Sequence, residues 1–281
     1  MPPTIHPAVR SERGSARRPT ERRLAGLAAD LYGTADARPP LVLLPGLSFD
    51  RAIWRPLLDR LERLELDRRV LVLDLPGHGG SPNQPSHSLP AVVEVVHRAV
   101  TEAGLVEPVM VGHSISGGLV SVYAAHHPTR GLINIDAPPE LASFARMLQP
   151  MAEQIRGTGF DPVWAMMERS FRTDLLPPDA RALVAATSHP RQDLVVSYWE
   201  DLLTQTPEQL TNWLTAEIAG VGTRDVPYLL IAGSELPPGL SEWITRTVPR
   251  AAVEVWAGSG HFPHLAHPDR FAARLAGTAR W

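Results

Sequence analysis

Residues 109–127 set three things in immediate succession: an apolar run, Val109-Met110-Val111, a pentapeptide, Gly112-His113-Ser114-Ile115-Ser116, and a helical pattern over Ile115–His127. A strand that becomes a helix so abruptly lifts the intervening serine hydroxyl clear of the backbone and strains its φ and ψ. The residues two before and two after must then be small, so that strand and helix can nearly touch. Gly112 meets that need; Ser116 stands where glycine is usual, with Gly117 and Gly118 behind it. Taken alone, the pentapeptide is also compatible with a Gly/Ser turn that carries no chemistry.

The rest of the chain repeats the strand-then-helix rhythm from about Leu24 onward. Leu41–Leu44 is a short continuous apolar run, as a strand buried on both faces would be. Pro45-Gly46 follows, then a helical stretch from Arg51 to Leu64. Val70–Asp74 is the next strand, ending in Leu75-Pro76-Gly77-His78-Gly79, with a helix over Leu89–Ala103. Strands over Val109–Gly112, Leu132–Asp136, Tyr228–Ala232 and Ala252–Trp256, with helices over Leu240–Val248 and Pro268–Leu275, complete the series. Parallel neighbours need crossovers, so this alternation predicts an α/β chain with a doubly wound, mostly parallel sheet. Residues 137–225 break the rhythm: they hold no convincing strand, many prolines and helical patterns rich in large apolar residues. A loop of that length is not structureless in a compact domain, so residues 137–225 are expected to form a helical cap inserted into a core of residues 24–136 and 226–281. Clefts favour domain interfaces and apolar walls, which puts Phe144, Met147 and Trp164 of the cap, with Phe262 of the core, on the candidate substrate wall.

Composition excludes several classes of function. The net charge of −3 gives no electrostatic case for nucleic acid or an anionic membrane as partner. There is no cysteine, hence no disulfide, thiolate metal site or cysteine nucleophile, and neither a metal nor a cofactor is expected. No apolar run approaches bilayer length. Residues 1–23 carry Arg10, Arg13, Arg17, Arg18, Arg22 and Arg23 and lack the apolar segment of a secretory signal, so a disordered tail and a cytoplasmic protein are expected.

Two further features fall where a serine nucleophile needs them. Leu44-Pro45-Gly46-Leu47-Ser48 leaves a strand tip, so the N–H groups of Leu47 and of Ile115, at the start of the helix after Ser114, are placed to form an oxyanion hole. Gly258-Ser259-Gly260-His261-Phe262 follows the last strand and projects His261 at the sheet's C-terminal edge, where a neutral imidazole takes and returns the serine proton.

On Pro45-Gly46, Asp74-Leu75-Pro76-Gly77-His78-Gly79-Gly80-Ser81, Gly112-His113-Ser114 and Gly260-His261-Phe262 the chain resembles the α/β-hydrolase superfamily over about residues 24–276. The resemblance implies a chain order of serine, carboxylate, histidine. It also shows a departure: the position where relatives commonly carry the acid is Leu236, with Glu235 one residue early. Asp136, 22 residues after Ser114, stands where haloalkane dehalogenases and zearalenone lactonases look to carry theirs, and is favoured over Glu235 as the alternative. Asp74 is read as a tether for loop amides and His113 as a packing residue. A serine rather than an aspartate at the elbow implies an acyl-enzyme. The expected activity is cofactor-independent cleavage of a carboxylic ester, lactone or related small, apolar acyl substrate. C–C hydrolysis, acyl transfer or cyclisation on the same residues, and a non-catalytic ligand-binding protein, stand as alternatives.

Overall fold

The computed structural model describes residues 19–64, 68–278 and 281. Eight strands form one sheet: β1 (Thr20–Leu24), β2 (Leu27–Tyr32), β3 (Leu41–Leu44), β4 (Val70–Leu73), β5 (Val109–His113), β6 (Gly131–Ile135), β7 (Tyr228–Ala232) and β8 (Ala251–Val255), in the order β1-β2-β4-β3-β5-β6-β7-β8. From β4 to β8 every pair is parallel. β1 and β2 form an antiparallel hairpin at one edge, β2 pairing antiparallel with β4.

Strand alternation explains why the central runs are apolar throughout. Leu41, Leu43, Val109, Val111, Ile133 and Ile135 point into one buried cluster, and Val42, Leu44, Met110 and Leu132 into the other. Both faces are covered, so no position along these strands meets water. One cluster is closed by α1 (Arg55–Leu64), which follows a 3₁₀ turn over Arg51–Trp54. The other is closed by α2 (Leu89–Glu102) and α3 (Ile115–His126).

The edge hairpin corrects the expected tail of residues 1–23. Thr20–Leu24 is paired residue by residue with Leu27–Leu31, so Arg22 and Arg23 stand in a strand; residues 1–18 lie outside the described residues. Four of the five side chains of β1 are exposed. Charge on an edge strand blocks pairing with another chain, and the same charge hides the strand from hydropathy patterns.

Between β6 and β7 run seven α-helices: α4 (Leu141–Leu148), α5 (Ala152–Arg156), α6 (Phe160–Ser170), α7 (Pro178–Thr187), α8 (Gln192–Tyr198), α9 (Glu200–Thr204) and α10 (Pro207–Thr223). Local signals are clear at α10, where Thr206 and Gln209 form a reciprocal capping box with Pro207 in the first turn. Buried residues of this helical insertion, among them Leu148, Ile155, Trp164 and Tyr198, share one apolar cluster with the sheet. Two short backbone contacts, Asp50 N–H to the Thr187 carbonyl at 3.3 Å and His189 N–H to the Ser48 carbonyl at 2.7 Å, add an isolated bridge between Phe49 and Ser188. The chain closes with α11 (Leu240–Thr247), α12 (Pro263–Ala266) and α13 (Pro268–Gly277). Among the described residues, no helix is long and apolar enough to cross a membrane and no cluster of His, Asp and Glu could hold a metal ion.

Candidate active site

Ser114 sits between β5 and α3 at φ 56°, ψ −128°, a positive-φ conformation that a serine rarely adopts. Close approach holds it there. A Cβ built on Gly112 would lie 2.0 Å from the Ser116 carbonyl oxygen, so only glycine lets strand and helix meet. The Ser114 N–H donates to the Ile135 carbonyl at 2.9 Å, tying the turn to the end of β6. Ser116, the departure from glycine, has a use of its own, since its hydroxyl donates to the Pro45 carbonyl at 2.6 Å and fastens the elbow to the loop after β3.

That loop passes close over the serine, since a Cβ on Gly46 would lie 3.2 Å from the Ser114 Cβ. Two of its amides are occupied: Phe49 N–H donates to the Gly46 carbonyl at 3.2 Å and Ser48 N–H to His78 Nε2 at 2.9 Å. Among the described residues the Leu47 N–H has no partner, and Ile115 opens α3 with no side-chain cap from Ser114. These are the two amides that the sequence points to, and both remain available to an oxygen.

His78, which the sequence shows only as part of Gly77-His78-Gly79, turns out to fix this loop. Its Nδ1–H donates to the Pro76 carbonyl at 2.9 Å, so its Nε2 carries the lone pair that receives Ser48. Burial pushes the imidazole down to about 4, keeping it neutral. The Pro76 carbonyl also accepts the Tyr198 hydroxyl of α8 at 3.0 Å. Asp74, fully buried, accepts from the Arg51 and Gly80 amides at 2.7 and 2.8 Å and from the Arg51 guanidinium, so its tethering role extends to a salt bridge.

His261 lies on the loop after β8, and its Nδ1 is 2.7 Å from Asp136 Oδ2. Asp136, at φ 52° just past β6, takes the Gly233 N–H on its other oxygen at 2.7 Å. Burial alone would raise this carboxyl. The hydrogen bond and charge of His261, with the Gly233 amide, outweigh it and hold the group below its ordinary value. Glu235 is exposed, and among the described residues no hydrogen bond or ion pair joins it to His261. His113 is buried, as a packing residue would be, but it also acts: its Nε2–H donates to the His261 carbonyl at 2.7 Å. Burial, aided by the neighbouring His261, pushes it down to about 3. Among the described residues no hydrogen bond joins Ser114 Oγ directly to His261; their loops meet through His113, whose ring lies 4.7 Å from that of His261.

The four residues of the expected substrate wall lie in different surroundings. Phe262 is fully buried, edge-on to Phe49 at 5.6 Å and against His113 at 5.0 Å, because the residue after His261 points into the core beneath the loop. Met147 is 43 % exposed; the neighbouring Ala145 and Leu148 take the inward positions of α4. Phe144 and Trp164 join an aromatic series, Phe144 to Trp199 to Trp164 to Phe171, with ring separations of 5.6, 6.0 and 6.3 Å. It ends at the imidazole: the Phe171 ring stacks on His261 at 4.9 Å and 18°. No spacing in the sequence singles out Phe171, since it meets His261 only through the tertiary fold.

A family model described as "Alpha/beta hydrolase family" matches residues 41–274. The chain belongs to the alpha/beta hydrolase family. It is 26% identical over 262 residues to the sn-1-specific diacylglycerol lipase of Xenopus laevis, covering 86% of this chain and 80% of that protein. It is 25% identical over 270 residues to the pimeloyl-[acyl-carrier protein] methyl ester esterase of Vibrio vulnificus (strain CMCP6), covering 90% of this chain and 99% of that protein. Among solved structures, E-2-(acetamidomethylene)succinate hydrolase superposes with a TM-score of 0.69 at 17% identity over 94% of this chain and 100% of the other, a likeness of fold.

Proposed function

We propose that this alpha/beta hydrolase is a serine hydrolase that cleaves a carboxylic ester, lactone or related small acyl substrate through an acyl-enzyme on Ser114. The observation that carries the reading is the 2.7 Å contact between His261 Nδ1 and Asp136, beside a serine held at positive φ. Asp136 holds the proton on Nδ1, which leaves Nε2 as the base. His261 takes the Ser114 proton as Oγ attacks the acyl carbonyl, and the Leu47 and Ile115 amides receive the negative charge on that oxygen. His261 then gives the proton to the departing alkoxide. A water, deprotonated by the same nitrogen, releases the acid and regenerates Ser114.

The two curated relatives are named as a lipase and a methyl ester esterase, which supports ester cleavage. The aromatic cluster of Phe144, Trp199 and Trp164 supports an apolar acyl or alcohol group, with residues 137–225 acting as the cap over the site. The test combines a fluorophosphonate with p-nitrophenyl esters of rising chain length. Wild-type protein should be labelled at Ser114 and turn over the longer esters faster, and Ser114→Ala should do neither. Labelling elsewhere, or esterase activity that survives Ser114→Ala, would overturn the assignment. Product analysis in isotopically labelled water separates hydrolysis from acyl transfer.

A further inference from the structure

Every polar backbone group of His261 is engaged, and one of them is held by the helical insertion. Its carbonyl accepts His113 Nε2–H at 2.7 Å, and its N–H donates to the Phe171 carbonyl at 2.9 Å. Phe171 ends α6, and Arg172 follows at φ 53°, so the chain turns sharply over the His261 loop. The approach is close enough to dictate sequence. Gly260 is at φ 56°, and a Cβ there would lie 2.6 Å from the Phe171 carbonyl oxygen and 2.9 Å from the Arg172 Cβ. The Phe171 ring then lies nearly parallel to the imidazole, 4.9 Å away, while Asp136 grips the imidazole edge. An imidazole held at one edge alone can still swing about that hydrogen bond. A ring stacked on its face removes the swing.

Building on the proposed serine chemistry, we propose that Phe171 is a positioning residue for His261: its carbonyl sets the loop and its ring sets the imidazole plane, so that seating of the helical insertion and alignment of the base are one property. Phe171 takes no part in proton transfer. Its effect appears as a loss of turnover rather than of binding, because an imidazole out of line by a fraction of its width still faces a bound ester but meets the serine proton poorly.

The test compares Phe171→Ala, Phe171→Tyr and wild type on a short p-nitrophenyl ester, together with the low-field proton resonance of the His261–Asp136 hydrogen bond. Phe171→Ala should lower kcat by up to about 10²-fold with KM unchanged, and should broaden or shift the resonance. Phe171→Tyr, which keeps a planar ring, should restore both. Wild-type kcat and an unaltered resonance in Phe171→Ala would overturn the proposal. So would a raised KM with unchanged kcat, which would make Phe171 a binding surface. If Phe171→Ala does not fold, Phe171→Leu, which keeps apolar bulk without the planar face, makes the same comparison. If wild type neither reacts with a fluorophosphonate nor turns over esters, the serine-hydrolase reading fails instead, and the resonance still reports whether Phe171 aligns the imidazole.

Discussion

The Ser114 turn and the His261 loop stand side by side, yet different parts of the chain hold them. Ser114 is fixed by the sheet and its own helix, through Gly112 against Ser116, the Ser116 hydroxyl on Pro45, and the Ser114 amide on Ile135. His261 draws two supports from the sheet region, His113 on its carbonyl and Asp136 on its Nδ1, and two from the insertion, the Phe171 carbonyl and ring. The loop over the serine is intermediate: His78 holds it from the core side and residues 187–189 from the insertion. One half of the site is therefore as rigid as a parallel sheet, and the other half shares its support between the sheet and the insertion.

The comparison can be broken most severely at the serine. Ser114→Ala removes no hydrogen bond that shapes the fold, so the variant should melt like wild type while ester turnover falls by about 10⁵-fold or more, as triad knockouts do. A measured loss under tenfold would end the argument that this turn is catalytic. Asp136→Asn comes next. It should keep the shape of the site but present the wrong imidazole tautomer, costing about 10⁴-fold in kcat. Glu235→Gln should leave the same rate unchanged, since that side chain is exposed. Comparable losses in both variants would reverse the assignment of the acid.

A smaller and more informative effect is expected at His78, where core and insertion share the Pro76 carbonyl. His78→Ala frees the Ser48 amide and loosens the loop that carries Leu47. Turnover should drop by about 10-fold to 10²-fold with little change in KM, and fluorophosphonate labelling should slow in step. If labelling slows in Phe171→Ala but not in His78→Ala, the base depends on the insertion while the loop over the serine does not depend on its core-side hold from His78.

The same division decides what can be read from residues alone. The strands and the elbow are legible because their requirements are local: apolar on both faces, and glycine where Gly112 meets Ser116. Asp136 is singled out by its strand end and its distance along the chain from Ser114, and its Oδ2 lies 2.7 Å from His261 Nδ1. The hairpin strand β1 is hidden because its side chains face water on an edge. The surroundings of Met147 and Phe262 are not legible for a general reason: a large apolar residue serves a cleft, a core or a surface equally well, and only packing decides. Phe171 and His78 act through contacts with residues distant in sequence, His261 and Ser48, which leave no periodicity to detect.

The smallest expected effect concerns acid stability, and it tests whether the shared support behind both loops is as dry as it looks. His78, His113 and His264 are all buried. Burial pushes the first two down to about 4 and about 3, and lowers His264 as well, aided by its histidine neighbours. Above the ordinary histidine value of 6.5 each group is neutral in both folded and unfolded chains, and its titration has no effect on stability. As pH falls below that value the unfolded chain takes up protons that the folded one refuses. Stability must therefore decline through this window, each histidine contributing a slope of at most about 1.4 kcal/mol per pH unit until its folded value is reached. Asp136, held below its ordinary 3.8, adds its loss only in stronger acid, so the two windows are separable. Urea titrations at pH 7, 6 and 5 should show a steepening loss, and His264→Phe should make it shallower. A stability that stays flat from pH 6.5 to 5 would mean that these imidazoles reach water when the chain is folded. The rigid support inferred for His261 through His113 would then be lost, leaving Asp136 and the Phe171 contacts as the restraints on the base.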